Sequence, residues 1–208
     1  MTLADIRLYA NKYISAMAGD PIDDFFLTFF INKGYVEANR RALAYQQPFS
    51  ALNTSIGTRT VALPADWIGV RDLFYNGIEL DWKPIEMIDL TSSTQGTPRK
   101  YAIRENNLML EPIPDAVVTM SGWYFSDVTP LSAATDTPVF PDEFHQMLVD
   151  YGAYEGLILA KMIPAAQVFQ KRYERSVGDL AAYYDRDRSR QDILVRRDFE
   201  RSWDKMNG

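Results

Sequence analysis

No cysteine occurs anywhere in this sequence, and histidine occurs once, at His145. The first absence excludes disulfides, thiolate metal ligands and cysteine nucleophiles, and a reducing compartment suits such a chain. The second leaves His145 without a histidine partner for a metal, and no nucleophile stands at a recognisable spacing from it. One turn into a helix, beside Glu143 and Gln146, it is expected to be a surface or capping residue. Glycine-rich phosphate loops are missing, since Gly57, Gly69, Gly77 and Gly96 stand alone. Carboxylate pairs exist, Asp23 with Asp24 and Asp185 with Asp187, but these read as helix-start charges and solvated faces. The sequence thus offers no catalytic residue, no metal site and no cofactor site, and the chain is expected not to be an enzyme.

Positive charge is also short. With 22 Lys and Arg against 28 Asp and Glu, the formal charge of −6 lacks the clustered cations that tight nucleic-acid binding requires. No long apolar run is free of charge: the window from Met147 to Ile163 contains Asp150, Glu155 and Lys161, which excludes it as a bilayer span. The opening stretch carries Asp5, Arg7 and Lys12 where a secretion signal needs unbroken apolar sequence. A soluble protein with no membrane partner is expected.

What is present is a substantial core, with 47% hydrophobic and 13% aromatic residues over 208 positions. The first twenty or so residues read as an amphipathic helix: Thr2 and Asp5 have capping-box spacing, Ile6, Tyr9, Tyr13, Ile14 and Met17 recur at helical intervals, and Gly19 is a stop. Asp20 as N-cap and Pro21 at the first helical position start a second helix, with Asp23 and Asp24 near its positive end. That helix runs to about Tyr45. Its Phe25, Phe26, Phe29 and Phe30 are expected in the core, with an oligomer interface as the second reading.

Between Pro48 and Phe140 the composition changes. Eight of the eleven prolines and three of the four tryptophans fall there. Alternation over Thr58–Leu63, an Asn76-Gly77 dipeptide between Leu73–Tyr75 and Ile78–Leu80, and an Asn106-Asn107 turn between Tyr101–Ile103 and Leu108–Leu110 read as hairpins. A strand from Val117 to Phe125 brings the total to about six, and Pro84 to Leu90 reads as a short helical turn. Trp67, Trp82 and Trp123 are expected in core or interface; a carbohydrate- or protein-binding module would instead expose them.

Helical spacing returns after Pro141 and Asp142, with Phe144, Leu148, Tyr151, Glu155, Ile158 and Met162 along one stripe until Pro164. Pro164 starts a fourth helix, whose Phe169, Tyr173, Val177, Leu180 and Tyr184 share a face and which fades near Asp187. Gly152 and Gly156 form a small-xxx-small pair, read as tight intramolecular packing with a subunit contact as the alternative. The fold class is therefore α+β: a helical bundle from residues 1–47 and 141–187, an inserted antiparallel β module at 48–140, and an extended C-terminal docking tail at 188–208.

The tail has its own pattern. Val195, Phe199, Trp203 and Met206 fall at i, i+4, i+8 and i+11 within a charged surround, so a short amphipathic helix is expected there. It should dock in a groove on a partner, in preference to its own bundle. Asp192, Asp198, Glu200 and Asp204 alternate with its arginines, leaving no basic stripe for DNA.

Leu63-Pro64-Ala65-Asp66-Trp67, followed by a strand at Arg71 to Tyr75 and the Asn76-Gly77 turn, resembles the head-to-tail adaptor proteins of tailed bacteriophages, including relatives of the tail-tubular protein A of short-tailed phages. The likeness continues through Pro98-Arg99-Lys100-Tyr101-Ala102-Ile103, Leu108-Met109-Leu110-Glu111-Pro112-Ile113-Pro114-Asp115, Trp123-Tyr124-Phe125 and the helix opening Phe140-Pro141-Asp142-Glu143-Phe144. It spans roughly Leu63 to Ala160. The resemblance implies a structural virion protein at the head-tail interface, assembled in the host cytoplasm as a homo-oligomeric, dodecameric ring under the portal protein. It further implies contact with the next tail or connector protein, and a channel through which DNA passes without specific binding. It implies no catalytic residues. Other connector layers, such as a stopper or a tail terminator, share this profile. With that resemblance, the tail stripe Val195, Phe199, Trp203 and Met206 is expected to dock on the portal and to fold there.

Overall fold

A computed structural model of the chain describes residues 1–186. The fold is α+β, and the described residues form two compact units: one from 1–45 together with 127–186, the other from Gln46–Ser126.

The first unit holds four helices: α1 (Leu3–Ala18), α2 (Asp24–Ala42), α3 (Gln146–Leu159) and α4 (Ile163–Arg186). Helix α1 begins with the expected capping box. The Asp5 amide donates to Thr2 Oγ1 at 3.3 Å and the Thr2 amide to Asp5 Oδ2 at 2.9 Å, which holds the Asp5 carboxyl below its ordinary value. Gly19 ends it at φ +90°, a conformation that L side chains resist. Helix α2 starts later than Asp20 and Pro21 suggest. The Asn11 side chain takes both backbone groups of Ile22, donating to its carbonyl at 3.0 Å and accepting from its amide at 2.9 Å, and this keeps the chain non-helical until Asp23 caps the Phe25 amide at 2.8 Å.

Helix α3 is buried on most of its circumference, at Met147, Leu148, Val149, Asp150, Tyr151, Gly152, Ala153, Gly156 and Leu157, which is a broader surface than one stripe. It can be buried so widely because α1, α2 and α4 all pack on it. The stripe that α1 buries is Leu3, Ile6, Ala10 and Ile14, whereas Tyr9, Tyr13 and Met17 lie on its flank, 37–45% exposed. The glycine pair serves this packing. A Cβ on Gly156 would sit 2.5 Å from Ile14 Cδ1, and one on Gly152 would sit 3.1 Å from Ile31 Cγ1. The intramolecular reading of Gly152 and Gly156 therefore holds. Helix α4 buries Phe169, Tyr173, Val177 and Leu180, with Tyr184 partly covered, as the spacing indicates. It begins at Ile163, so Pro164 occupies the first turn, where its missing N–H costs nothing.

The second unit holds six strands of three or more residues and five two-residue ladders. In chain order they are β1 (Gln46–Pro48), β2 (Leu52–Asn53), β3 (Thr60–Ala62), β4 (Trp67–Tyr75), β5 (Ile78–Glu79), β6 (Asp81–Trp82), β7 (Gln95–Gly96), β8 (Lys100–Arg104), β9 (Asn107–Glu111), β10 (Ile113–Pro114) and β11 (Thr119–Ser126). One sheet runs β1-β11-β4-β5 with β2 also on β11; another runs β3-β9-β8-β6; β7 and β10 form a parallel pair. The anticipated helical turn is a 3₁₀ turn at Ile85–Met87. Asn76 and Gly77 both take positive φ, 50° and 77°, and turn β4 into β5. The second hairpin turns one residue earlier than Asn106-Asn107: Glu105 takes φ 57°, and Asn107 already pairs with Arg104. Leu73, Leu108, Leu110 and Met120 form the centre of this unit's core.

Candidate interaction surfaces of the helical unit

Among the described residues no group of acidic and histidine side chains could hold a metal ion. His145 is not on the surface. It is 2% exposed, its Nε2 donates to the Phe140 carbonyl at 2.8 Å, and its Nδ1 accepts from the Met1 amine at 2.8 Å. Because a carbonyl can only accept, the first bond fixes the tautomer and the second uses the remaining lone pair. Both ring nitrogens are thus spent on holding the approach to α3 against the start of α1.

Among the described residues Asp150 is the one buried carboxylate of the helical unit's core, 4% exposed, with Gln146 Nε2 donating to it at 3.4 Å. Burial pushes this carboxyl above its ordinary value. A group shifted that way opposes folding while ionised, and the penalty fades as pH falls through its folded value and below the ordinary carboxylate range. Asp150→Asn is therefore expected to raise the melting temperature at neutral pH, with the gain shrinking as pH is lowered, in thermal denaturation across a pH series.

The segment after Asp127 is strapped along α2. Arg40 makes a two-pronged pair with Asp127, at 2.8 and 2.7 Å. Asn32 Nδ2 donates to the Leu131 carbonyl and the Leu131 amide to Asn32 Oδ1, both at 2.8 Å. Tyr35 Oη accepts from the Val139 amide at 2.9 Å, and burial pushes that hydroxyl up to about 12. Further along, the Ser132 and Ala133 amides donate to Asp136, which keeps its carboxyl low. Tyr35, Tyr45, Leu131 and Asp136 line a cleft of about 430 Å³ along this strap. Asn32→Ala removes two backbone-satisfying bonds at once. A loss of about 2 kcal/mol is expected in chemical denaturation, with faster amide exchange at Leu131.

The phenylalanines of α2 overturn the core reading. Phe25, Phe26 and Phe29 are 75%, 51% and 62% exposed, and only Phe30 is partly covered. The reason is geometric. Leu27, Ile31, Gly34 and Ala38 form the stripe that α2 buries, and Phe25, Phe29, Asn32, Val36 and Arg40 lie on the opposite side. One helix cannot turn both sides to α3. The signal was available in the sequence as two apolar stripes half a turn apart.

Helix α4 also shows an outward stripe, Pro164, Val168, Lys171 and Arg175, with Val168 49% exposed and the two cations solvated. In the β unit, Trp67 and Trp82 pack on the core, and Trp123 is 44% exposed. The tail positions Val195, Phe199, Trp203 and Met206 lie outside the described residues.

A four-helix unit interrupted by an antiparallel-rich β unit, with its one histidine committed to structure and an aromatic patch left open, defines a protein of surfaces and contacts. A family model described as SU10 adaptor protein matches residues 1–197, through both units, and the chain belongs to that family. It is a phage adaptor, a structural component of the virion, as the resemblance implied. No curated protein matches the sequence. No helix among the described residues is long and apolar enough to cross a membrane.

Proposed function

We propose that this adaptor forms a ring, dodecameric in the virion, beneath the portal protein, joins the capsid vertex to the next tail or connector protein, and encloses a channel for DNA. The observation that carries this reading is the family match over residues 1–197, which takes in helices and β unit together. The charge supports it: a chain of formal charge −6 suits a passage in which DNA must slide, because a basic lumen would hold the duplex by its phosphates. On this reading the protein assembles in the host cytoplasm and ends at the head-tail interface of the virion.

The portal grip is assigned to residues 188–208, with Val195, Phe199, Trp203 and Met206 as the docking stripe. A segment that folds on its partner can span a large surface and be released or formed late in assembly. Light scattering behind a sizing column tests both statements, using the protein alone and mixed with the portal ring of the same virus. A stoichiometric shift onto the ring, lost when residues after Ser189 are deleted, is the expected result. A shift that survives the deletion removes the grip from the tail. No association at any salt concentration removes the portal as partner and favours another connector layer, a stopper or a terminator.

A further inference from the structure

Resting on the adaptor reading, we propose that the exposed Phe25, Phe26 and Phe29 patch of α2 is one half of the contact between neighbouring copies, and that the other half is the Val168, Lys171 and Arg175 face of α4 on the next copy. The two faces differ, so the contact is heterologous, the kind that closes into a ring when the rotation per subunit is right.

Three observations support it. First, the outer stripe of α2 is already covered over its second half by the chain's own strap, at Asn32 with Leu131 and Arg40 with Asp127, and that cover stops short of Phe29. Three phenylalanines at 51–75% exposure on adjoining turns form a patch that soluble surfaces seldom leave open. Second, charges around the two faces are opposite. Asp20, Asp23 and Asp24 are all exposed at the start of α2; Asp24 is paired with Arg7 of α1 at 3.3 Å, and Asp20 and Asp23 take part in no ion pair among the described residues. From Lys161 to Arg175 the α4 side carries Lys161, Lys171, Arg172 and Arg175 against a single acid, Glu174, which is held by Arg41 at 2.6 Å; the next acid on this face, Asp179, lies one turn beyond Arg175. Among the described residues neither Lys171 nor Arg175 takes part in an ion pair. Third, the chemistry of contact fits: cations placed over phenylalanine faces gain from the ring quadrupole, and Val168 supplies an apolar centre. Arg172 already lies 5.4 Å over the Phe169 ring within its own chain.

The absence of cysteine makes the test clean, because every thiol is an introduced one. Phe29→Cys and Val168→Cys replace exposed side chains, so both variants are expected to melt as the parent does. Treated with a short bismaleimide, free at high concentration and again on the portal ring, a mixture of the two variants is expected to give a covalent dimer. The doubly substituted chain should give a ladder of multimers. Lys171→Glu with Arg175→Glu in the Val168→Cys chain should lower the dimer yield about two- to fivefold, and Asp20→Lys in the Phe29→Cys chain should recover it.

Cross-linking only between like variants would mean that the patch pairs with itself, and this overturns the proposal. So does the absence of mixed dimer in both conditions, which would mean that something other than a second copy covers the phenylalanines. The adaptor reading fails separately, if the portal never binds the unmodified chain; a mixed dimer in the free protein would then still uphold the contact.

Discussion

Tyr173→Ala is expected to cost the helical unit about 4 kcal/mol, close to the upper range for emptying a buried aromatic site. Tyr173 lies in the middle of α4 and is 1% exposed. Its ring meets that of Tyr151 edge-on at 4.6 Å, and its hydroxyl donates to the Gly34 carbonyl at 2.9 Å. Three helices therefore meet at one side chain. They cannot collapse into the void, because Gly34 is already pressed against Tyr151: a Cβ there would sit 2.5 Å from Tyr151 Cγ. Tyr173→Phe keeps the ring and loses only the hydrogen bond, so about 1 kcal/mol is expected. Chemical denaturation followed by far-ultraviolet circular dichroism checks both, since all four helices lie in this unit. Equal losses for the two variants would show that the hydroxyl, and not the ring, holds the helices together.

Gly122→Ala is expected to unsettle the β unit by about 3 kcal/mol or more, although it adds only a methyl group. Gly122 sits in β11 at φ +145°, and its missing Cβ points at the Asp72 carbonyl of the adjoining strand β4, which leaves no room for an atom. A neighbouring side chain could rotate away; a paired backbone cannot do so without breaking the ladder. The pairing is already irregular one step on, with a register shift between Trp123 and Tyr124 and the Trp123 amide donating to Asp72 Oδ1 at 2.8 Å. The glycine therefore marks where β11 presses closest to β4. Tryptophan fluorescence is the measurement, because Trp67, Trp82 and Trp123 all belong to this unit. A variant within about 0.5 kcal/mol of the parent would mean that the two strands can slide apart at this point.

Local signals carried far into this fold. The Thr2–Asp5 box, the Gly19 stop, the Asn76-Gly77 turn and the α4 stripe from Phe169 to Leu180 each depend on residues within a few positions of one another, and each forms as its chemistry requires. Expectations failed where distant residues decide. The start of α2 is moved by Asn11, which reaches across eleven positions to hold Ile22. His145 is buried because Phe140 and Met1 converge on its two nitrogens, and residue spacing cannot reveal a contact 144 positions away. The phenylalanines of α2 depart from the core expectation for another reason. Hydrophobicity measures what a side chain would gain from cover; it does not say whether the cover belongs to the same molecule. A surface used for contact is written in the same residues as a core.

The β unit begins and ends side by side. Gln46, its first residue, is the register partner of Phe125, one residue before its last, in the β1–β11 ladder. Antiparallel partners lie about 5 Å apart, so the 81 residues from Gln46 to Ser126 leave and rejoin the helical chain through a gap that a few residues could bridge. Such a segment behaves as a cassette. Because its two ends meet, it can be lengthened, shortened or exchanged for another without rerouting the four helices.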